Sequence, residues 1–275
     1  MSNRITTDWK LTYHDWNPDQ QCLREALCAL GNGYFVTRGA LEESRAGGPH
    51  YPGTYIAGGY NRLETEISGH VVENEDLVNW PNWLCLNFRP EGGDWFSMDA
   101  VQILDFRFEL DVYRGLLERE VRFRDPGDRE FTLLSRRFVH MKKPHLAGIQ
   151  WILTPHNWSG SIEIDSTLDG RVRNDGVARY RALNSQHLEV LNTEAVAEDT
   201  ISLTCKTVQS HTRACQTART RVFQGDTPAF VQRQTDCQAG HVSQSITVAC
   251  ERSKPLQVEK IVAFHSSFDH AISEP

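Results

Sequence analysis

The chain has 275 residues, 39% of them hydrophobic, enough to bury roughly 70–75% of the surface its unfolded form would expose, so it folds without covalent staples. With 29 basic and 36 acidic residues its formal charge is −7, which argues against nucleic acid as a partner; Arg136 and Arg137, and the set Arg213, Arg219 and Arg221, sit among alternating residues and read as solvated strand faces. Seven cysteines without a Cys-x-x-Cys pairing fit free thiols in a reducing, cytoplasmic compartment, and no apolar run nears the ~18–20 residues that span a bilayer, so no membrane is expected.

In chain order, the first periodic segment is 19–30, where Leu23, Ala26, Leu27 and Leu30 predict one apolar helix face before Gly31 ends it. Residues 47–61, rich in Gly, Pro and Tyr, read as an ordered loop of the length that usually carries function. At 104–113, Leu104, Phe106, Phe108, Leu110 and Val112 alternate with Asp105, Arg107, Glu109, Asp111 and Tyr113, which predicts a strand with one buried and one wet face. A turn at Arg114 and Gly115 then leads into 117–123, where Leu117, Val121 and Phe123 oppose Glu118, Glu120 and Arg122, making a hairpin.

The same alternation recurs at 146–153, with Ile149, Trp151 and Leu153 in phase, and at 160–168, with Ile162, Ile164 and Leu168 in phase. Asp169 and Gly170 predict a tight hairpin turn after it. Further strands are predicted at 187–192, 200–208, 219–224, 229–235, 242–250 and 256–264, a spacing that marks a sandwich or barrel. Helical periodicity is nearly absent, which disfavours a parallel sheet with crossover helices. The fold class is therefore all-β, mainly antiparallel, a large two-layer β-sandwich with few short helices, in one domain spanning 1–275.

No complete catalytic constellation is legible. The carboxylate pairs Glu109 with Asp111 and Glu118 with Glu120 lie on polar strand phases, where solvation explains them better than acid–base work. His211 and Cys215 mirror Cys237 and His241, but each half mixes ligand types and departs from structural zinc spacing, so no metal is assigned. Gly31-Asn32-Gly33 is a turn signal without the third glycine of a dinucleotide fingerprint, and there is no Gly-x-Ser-x-Gly elbow. The tryptophans Trp80, Trp83 and Trp95, beside Asn79, Asn82 and Arg89, admit two readings: a buried plug beneath a long loop, or flat faces for sugar rings.

Several blocks in one order resemble glycoside hydrolase family 65: Glu25 followed by Leu30-Gly31-Asn32-Gly33-Tyr34 and Arg38-Gly39; Gly53-Thr54-Tyr55-Ile56-Ala57-Gly58 with Tyr60-Asn61; and Leu77-Val78-Asn79-Trp80-Pro81-Asn82-Trp83. Leu110-Asp111 with Arg114-Gly115, Arg137-Phe138-Val139 with Pro144-His145-Leu146-Ala147, and Asp169-Gly170 with Asn174 continue the collinear set, which runs from about residue 10 to the end. That family contains inverting maltose, trehalose, kojibiose and nigerose phosphorylases and related α-glucoside hydrolases. The resemblance implies an N-terminal sandwich of the galactose-mutarotase-like supersandwich type. Residues 265–275 would then start the linker towards an (α/α)₆ barrel that holds the catalytic glutamate outside this chain.

On that resemblance the chain alone is inactive and carries no catalytic residue, metal or organic cofactor. Inorganic phosphate is a co-substrate if the parent is a phosphorylase, the substrate is an α-linked glucose disaccharide, and the full-length protein is a homodimer. Arg38, Asn79, Trp80 and Trp83 are nominated for the substrate rim. Phe268 stands where the family usually has Arg, and Trp80 where a smaller aliphatic residue is common. The rival expectation is a stand-alone carbohydrate-binding sandwich that uses an exposed Trp cluster.

Overall fold

A computed structural model describes residues 4–7, 9–176 and 182–269. Its backbone is built from antiparallel strands, and among the described residues the one α-helix is Gln21–Leu27, preceded by a 3₁₀ turn at Pro18–Gln20. An 11-stranded sheet forms the base layer. Its spatial order begins with Arg4–Thr7, Lys10–Tyr13, Gln102–Asp111, Leu116–Arg124, Glu130–Val139 and Leu146–Pro155. It continues through Leu256–Ser266, Arg213–Gln224 and Thr200–Thr207 to the far edge at Leu188–Ala197, and the eleventh strand, Thr227–Pro228, pairs with Arg213–Gln224 off this path. A four-stranded sheet, Val231–Gln238, His241–Cys250, Gly160–Asp169 and Leu86–Pro90, covers its centre.

The two layers shut around the apolar phase of each strand. Ile149, Trp151, Leu153, Val258 and Val262 from the base meet Phe88, Ile162, Ile164, Ile246 and Val248 from the cover, all buried. Phe88 is the hinge of an aromatic cluster, with ring centroids 5.4 Å from Phe96, 5.9 Å from Phe131 and 6.2 Å from Trp151. Polar groups that cross the gap are paired: Ser166 and Thr220 hydroxyls lie 2.8 Å apart, and the Lys260 ammonium donates to the carbonyls of Cys85 and Thr167 at 2.9 and 2.8 Å.

The expected hairpin at 104–123 forms, with Gly115 at φ 62° in its turn, and Phe106, Phe108, Leu110, Leu117, Val121 and Phe123 are buried. Leu104 departs from the expected phase. The register slips between Arg122 and Phe123, so Ile103 rather than Leu104 faces the core and Leu104 is 40% exposed; Val112 lies past the strand end and is exposed. Asp169 and Gly170 do not turn a hairpin: the Gly160–Asp169 strand pairs with the remote segments Leu86–Pro90 and His241–Cys250.

The larger correction concerns the helix. Gln21–Leu27 buries Gln21, Arg24 and Glu25 and exposes Leu23 at 59% and Leu27 at 43%, the reverse of the predicted face. Arg24 is tolerated inside because its guanidinium lies 4.3 Å from the Tyr13 ring centroid and donates to both the carbonyl and carboxylate of Asp15. Among the described residues no helix is long and apolar enough to cross a membrane, and no disulfide forms.

A second buried charge group ties an excursion of the chain to the base sheet. Glu42 accepts from Ser135 Oγ at 2.8 Å and from Arg137 at 3.1 Å through one oxygen, and from Arg119 at 3.0 Å through the other. Glu43 shares Arg119 through a bidentate contact. Arg137 also donates to the carbonyls of Arg38 and Ala40 at 3.3 and 2.6 Å. The far edge strand Leu188–Ala197 carries two register shifts, at Leu191 and at Val196, and both side chains point outward, 43% and 56% exposed.

Candidate functional site

Leu30–Gly31, Phe35–Thr37 and Thr54–Ile56 form a small three-stranded sheet, and the excursion at residues 38–53 leaves it and returns. The excursion starts at Gly39, where a Cβ would sit 2.7 Å from the Cβ and carbonyl oxygen of Cys28, so only glycine permits this approach to the helix end. Its far half and the segment at 173–176 wall an open cleft of about 560 Å³, lined by Cys22, His50, Tyr51, Asn174 and Ser185 among others.

Glu25 organises the cleft from below. Its buried carboxylate meets His50 Nδ1 at 2.8 Å and accepts from the Tyr51 backbone N–H at 2.8 Å, and Arg38 stands 4.0 Å away. The bond to Glu25 raises the His50 pKa against the opposing effect of burial, and the Trp16 ring stacks on the imidazole at 6.3 Å. Burial raises the phenols of Tyr51 and Tyr55, so both stay neutral donors across the physiological range. The Arg38 guanidinium lies over the Tyr51 ring at 5.4 Å and donates to the Cys22 carbonyl at 2.9 Å.

The four nominated rim residues fall in different places. Arg38 lies behind the cleft wall, its side chain 19% exposed and held against the lining residues Cys22 and Tyr51. Asn79 is buried beneath it: its side chain accepts from the Thr54 N–H at 3.0 Å and donates to the carbonyls of Pro52 and Arg173, both at 3.3 Å, so one amide fixes both walls. Asn174 completes the seam by accepting from the Asn79 N–H at 2.9 Å and donating to the Leu77 carbonyl at 2.8 Å. Trp80 and Trp83 are 0% and 1% exposed, deep in the core, with no acceptor for their indole N–H groups among the described residues. Trp80 packs edge-on against Phe264 at 6.3 Å.

The tryptophans are thus the plug rather than a sugar platform, and the exposed Trp cluster on which a stand-alone binding module rests is not formed. Trp95 alone of the three reaches the surface, at 37% exposure, with Arg89 over its ring at 4.8 Å. The strand carboxylates are held by cations: Glu109 accepts from Lys10 at 2.8 Å, and Glu118 pairs with Arg107 and Arg136. His211, Cys215, Cys237 and His241 are not drawn together, and the cluster with metal-ligand geometry among the described residues is a different one, His145, His265 and Asp269.

Beneath the cleft the buried Glu25 carboxylate is committed to His50 and a backbone amide, so it orients the wall, and among the described residues the carboxylate that lines the cleft is that of Asp175. Sequence reasoning flagged the loop at 47–61 and the block containing Glu25, but not that His50 and Glu25 pair, because nothing local links them.

A family model described as glycosyl hydrolase family 65, N-terminal domain, matches residues 11–275. An uncharacterized glycosyl hydrolase of Mycobacterium tuberculosis is 40% identical over 263 residues, 96% of this chain and 20% of that protein. A kojibiose phosphorylase of Caldanaerobacter subterraneus subsp. tengcongensis is 27% identical over 267 residues, covering 95% of this chain and 33% of its own length. A trehalose 6-phosphate phosphorylase of Lactococcus lactis is 34% identical over 187 residues, 66% of this chain and 23% of that protein. Among solved structures, a candidate kojibiose phosphorylase from human microbiome superposes with a TM-score of 0.82 at 18% identity, over 97% of this chain and 34% of that one.

Proposed function

Because the chain belongs to glycosyl hydrolase family 65 through that family's N-terminal domain, we propose that it is the scaffold and substrate-rim domain of an inverting α-glucoside phosphorylase or hydrolase whose catalytic barrel is a separate part of the same polypeptide. The chain spans a fifth of the mycobacterial relative and a third of the kojibiose phosphorylase, which leaves room for that barrel. In this reading a barrel carboxylic acid protonates the leaving oxygen of an α-linked glucose disaccharide. Inorganic phosphate, or water in a hydrolase, attacks from the opposite face. The chemistry calls for no organic cofactor.

The observation that carries this reading is the inverted helix. Leu23 and Leu27 are turned outward beside Cys22, which lines the cleft, while two charged neighbours are turned in. An apolar helix face left uncovered next to a cleft is the geometry of a surface meant to be covered by another part of the protein. In this reading Arg38 supports the rim through Cys22 and Tyr51, Asn79 supports it by bonding both walls, and Trp80 and Trp83 contribute only as core beneath it.

The test incubates the full-length protein with kojibiose, maltose and trehalose, with and without phosphate, and reads glucose against glucose 1-phosphate. Phosphate-dependent glucose 1-phosphate identifies a phosphorylase and phosphate-independent glucose a hydrolase, whereas turnover by the 275-residue chain alone overturns the reading. Replacing Leu23 and Leu27 by Glu is expected to abolish activity of the full-length protein while the isolated chain melts as before. Light scattering of the full-length protein tests the homodimer that belongs to the same proposal.

A further inference from the structure

We propose that His145, His265 and Asp269 form a binding site for a divalent first-row transition metal, zinc being the probe of choice. His145 enters the Leu146–Pro155 strand, His265 lies near the end of Leu256–Ser266, and Asp269 closes the turn that follows; the sheet register brings all three to one surface. The imidazoles stack face to face, centroids 4.0 Å apart and planes 16° from parallel. One ligand atom from each of the three residues lies within 4.8 Å of the others, with His145 Nε2 3.9 Å from Asp269 Oδ1 and His265 Nδ1 3.4 Å from Oδ2. An ion held at about 2.0–2.2 Å by each ligand brings them within about 4.4 Å of one another. A small rotation of the half-exposed His265 ring closes that difference.

The surroundings prepare these atoms. His145 Nδ1 lies 3.0 Å from the Phe264 carbonyl, which only accepts, so the proton sits on Nδ1 and the lone pair of Nε2 faces Asp269. A backbone carbonyl on the remote ring nitrogen is the usual means by which proteins fix a ligating imidazole. Asp269 Oδ2 accepts from the Tyr34 hydroxyl at 3.1 Å and the Ser266 N–H at 3.0 Å, both neutral donors, which leaves Oδ1 available. Among the described residues the groups in ion-pairing range of Asp269 are the two imidazoles. Asn32 holds the turn in front of His145 by donating to the carbonyls of His140 and Pro144 at 2.9 and 2.8 Å.

Two imidazoles and one carboxylate on an open surface, with positions left for water or a further ligand, suit Zn²⁺ and its neighbours rather than Mg²⁺ or Ca²⁺, which prefer all-oxygen sets. Bound there, the ion would latch the turn at 266–269, where the chain leaves the sheet, to the turn at 140–145.

The test is calorimetric titration of the chelator-treated chain with zinc under a non-thiol reductant. It is repeated on His145→Ala, His265→Ala, Asp269→Asn and the thiol control Cys215→Ser with Cys237→Ser. One equivalent is expected to bind to the original chain and to the thiol control, and each of the other three variants is expected to weaken binding at least tenfold. Zinc is also expected to raise the Tm of the original chain and not that of His265→Ala, whose exposed side chain can be removed without loss of fold. No saturable binding, or binding that survives His265→Ala and vanishes in the thiol control, overturns the proposal. Neither outcome bears on the glucosidase reading, which is decided by product analysis.

Discussion

Replacing Glu42 by Gln removes one charge from the buried group that joins residues 38–43 to the base sheet. The variant's amide oxygen still accepts from both Ser135 and Arg137, and its NH2 replaces the oxygen that faced Arg119, which keeps the Glu43 carboxylate, so Arg137 is the cation that loses its charged partner. That guanidinium, 2% exposed, keeps a neutral amide oxygen and two carbonyl acceptors but no carboxylate among the described residues. Breaking a buried pair from one side costs about 3–5 kcal/mol, and the remaining acceptors place this case near 3. Against a total of about 5–15 kcal/mol the variant stays folded but loses a large part of its margin.

Urea unfolding followed by tryptophan fluorescence should show an unchanged slope and, for a slope of about 3 kcal/mol/M, a midpoint lowered by about 1 M. The difference should also depend on pH. Burial pushes the Glu42 carboxyl up, but Arg137, Arg119 and the Ser135 hydroxyl outweigh it and hold the folded value below the ordinary one. A folded value below the unfolded one gives stability that is present above the unfolded pKa and lost as pH falls through the folded pKa. The two proteins should therefore converge in acid. A cost under about 1 kcal/mol at neutral pH, or a difference that grows on acidification, refutes the assignment of these partners.

Phe106→Asp should abolish cooperative unfolding, since a lone carboxylate on the inner face costs several kcal/mol, while Glu109→Ala on the opposite face should cost about 1 kcal/mol; equal effects would invert the strand. His50→Gln should destabilise the chain below pH 6.5, and because the folded imidazole has the higher pKa, thermal melts of the two proteins should approach each other as pH rises through it; a constant difference would remove Glu25 as the cause. Burial lowers Lys260 from 10.5 to about 8, so relative to Lys260→Met the original chain should gain stability from pH 8 to 10.5, by about 3 kcal/mol at most; a flat difference would mean that the ammonium is solvated.

The strands were readable because each buries one face, and a period of two in hydrophobicity records that directly, as at Phe106, Phe108 and Leu110. Leu104 shows the limit: a bulge shifts the phase by one residue without altering local composition. The helix misled for a different reason. Periodicity assumes that the apolar face turns inward, whereas Arg24 and Glu25 are recruited inward by Asp15, His50 and the Tyr51 amide, partners that no window around 19–30 contains all at once. Around the cleft, Arg38 and Asn79 were nominated from collinear blocks, but the burial of Trp80 against Phe264 depends on a strand remote in sequence. That His145 meets His265 and Asp269 was not legible because their neighbourhood exists only once Leu146–Pro155 and Leu256–Ser266 are paired.

The two slips in the Leu188–Ala197 strand bear on how the chain behaves in a crowded solution. An open sheet of this width ends in a row of unpaired amides, and a straight edge would recruit the same edge of a neighbouring molecule. By pushing out Leu191 and Val196 the strand breaks the repeat that such a neighbour would need to match. Deleting both Leu191 and Val196 should straighten the border and make the chain more prone to grow into thioflavin-positive fibres.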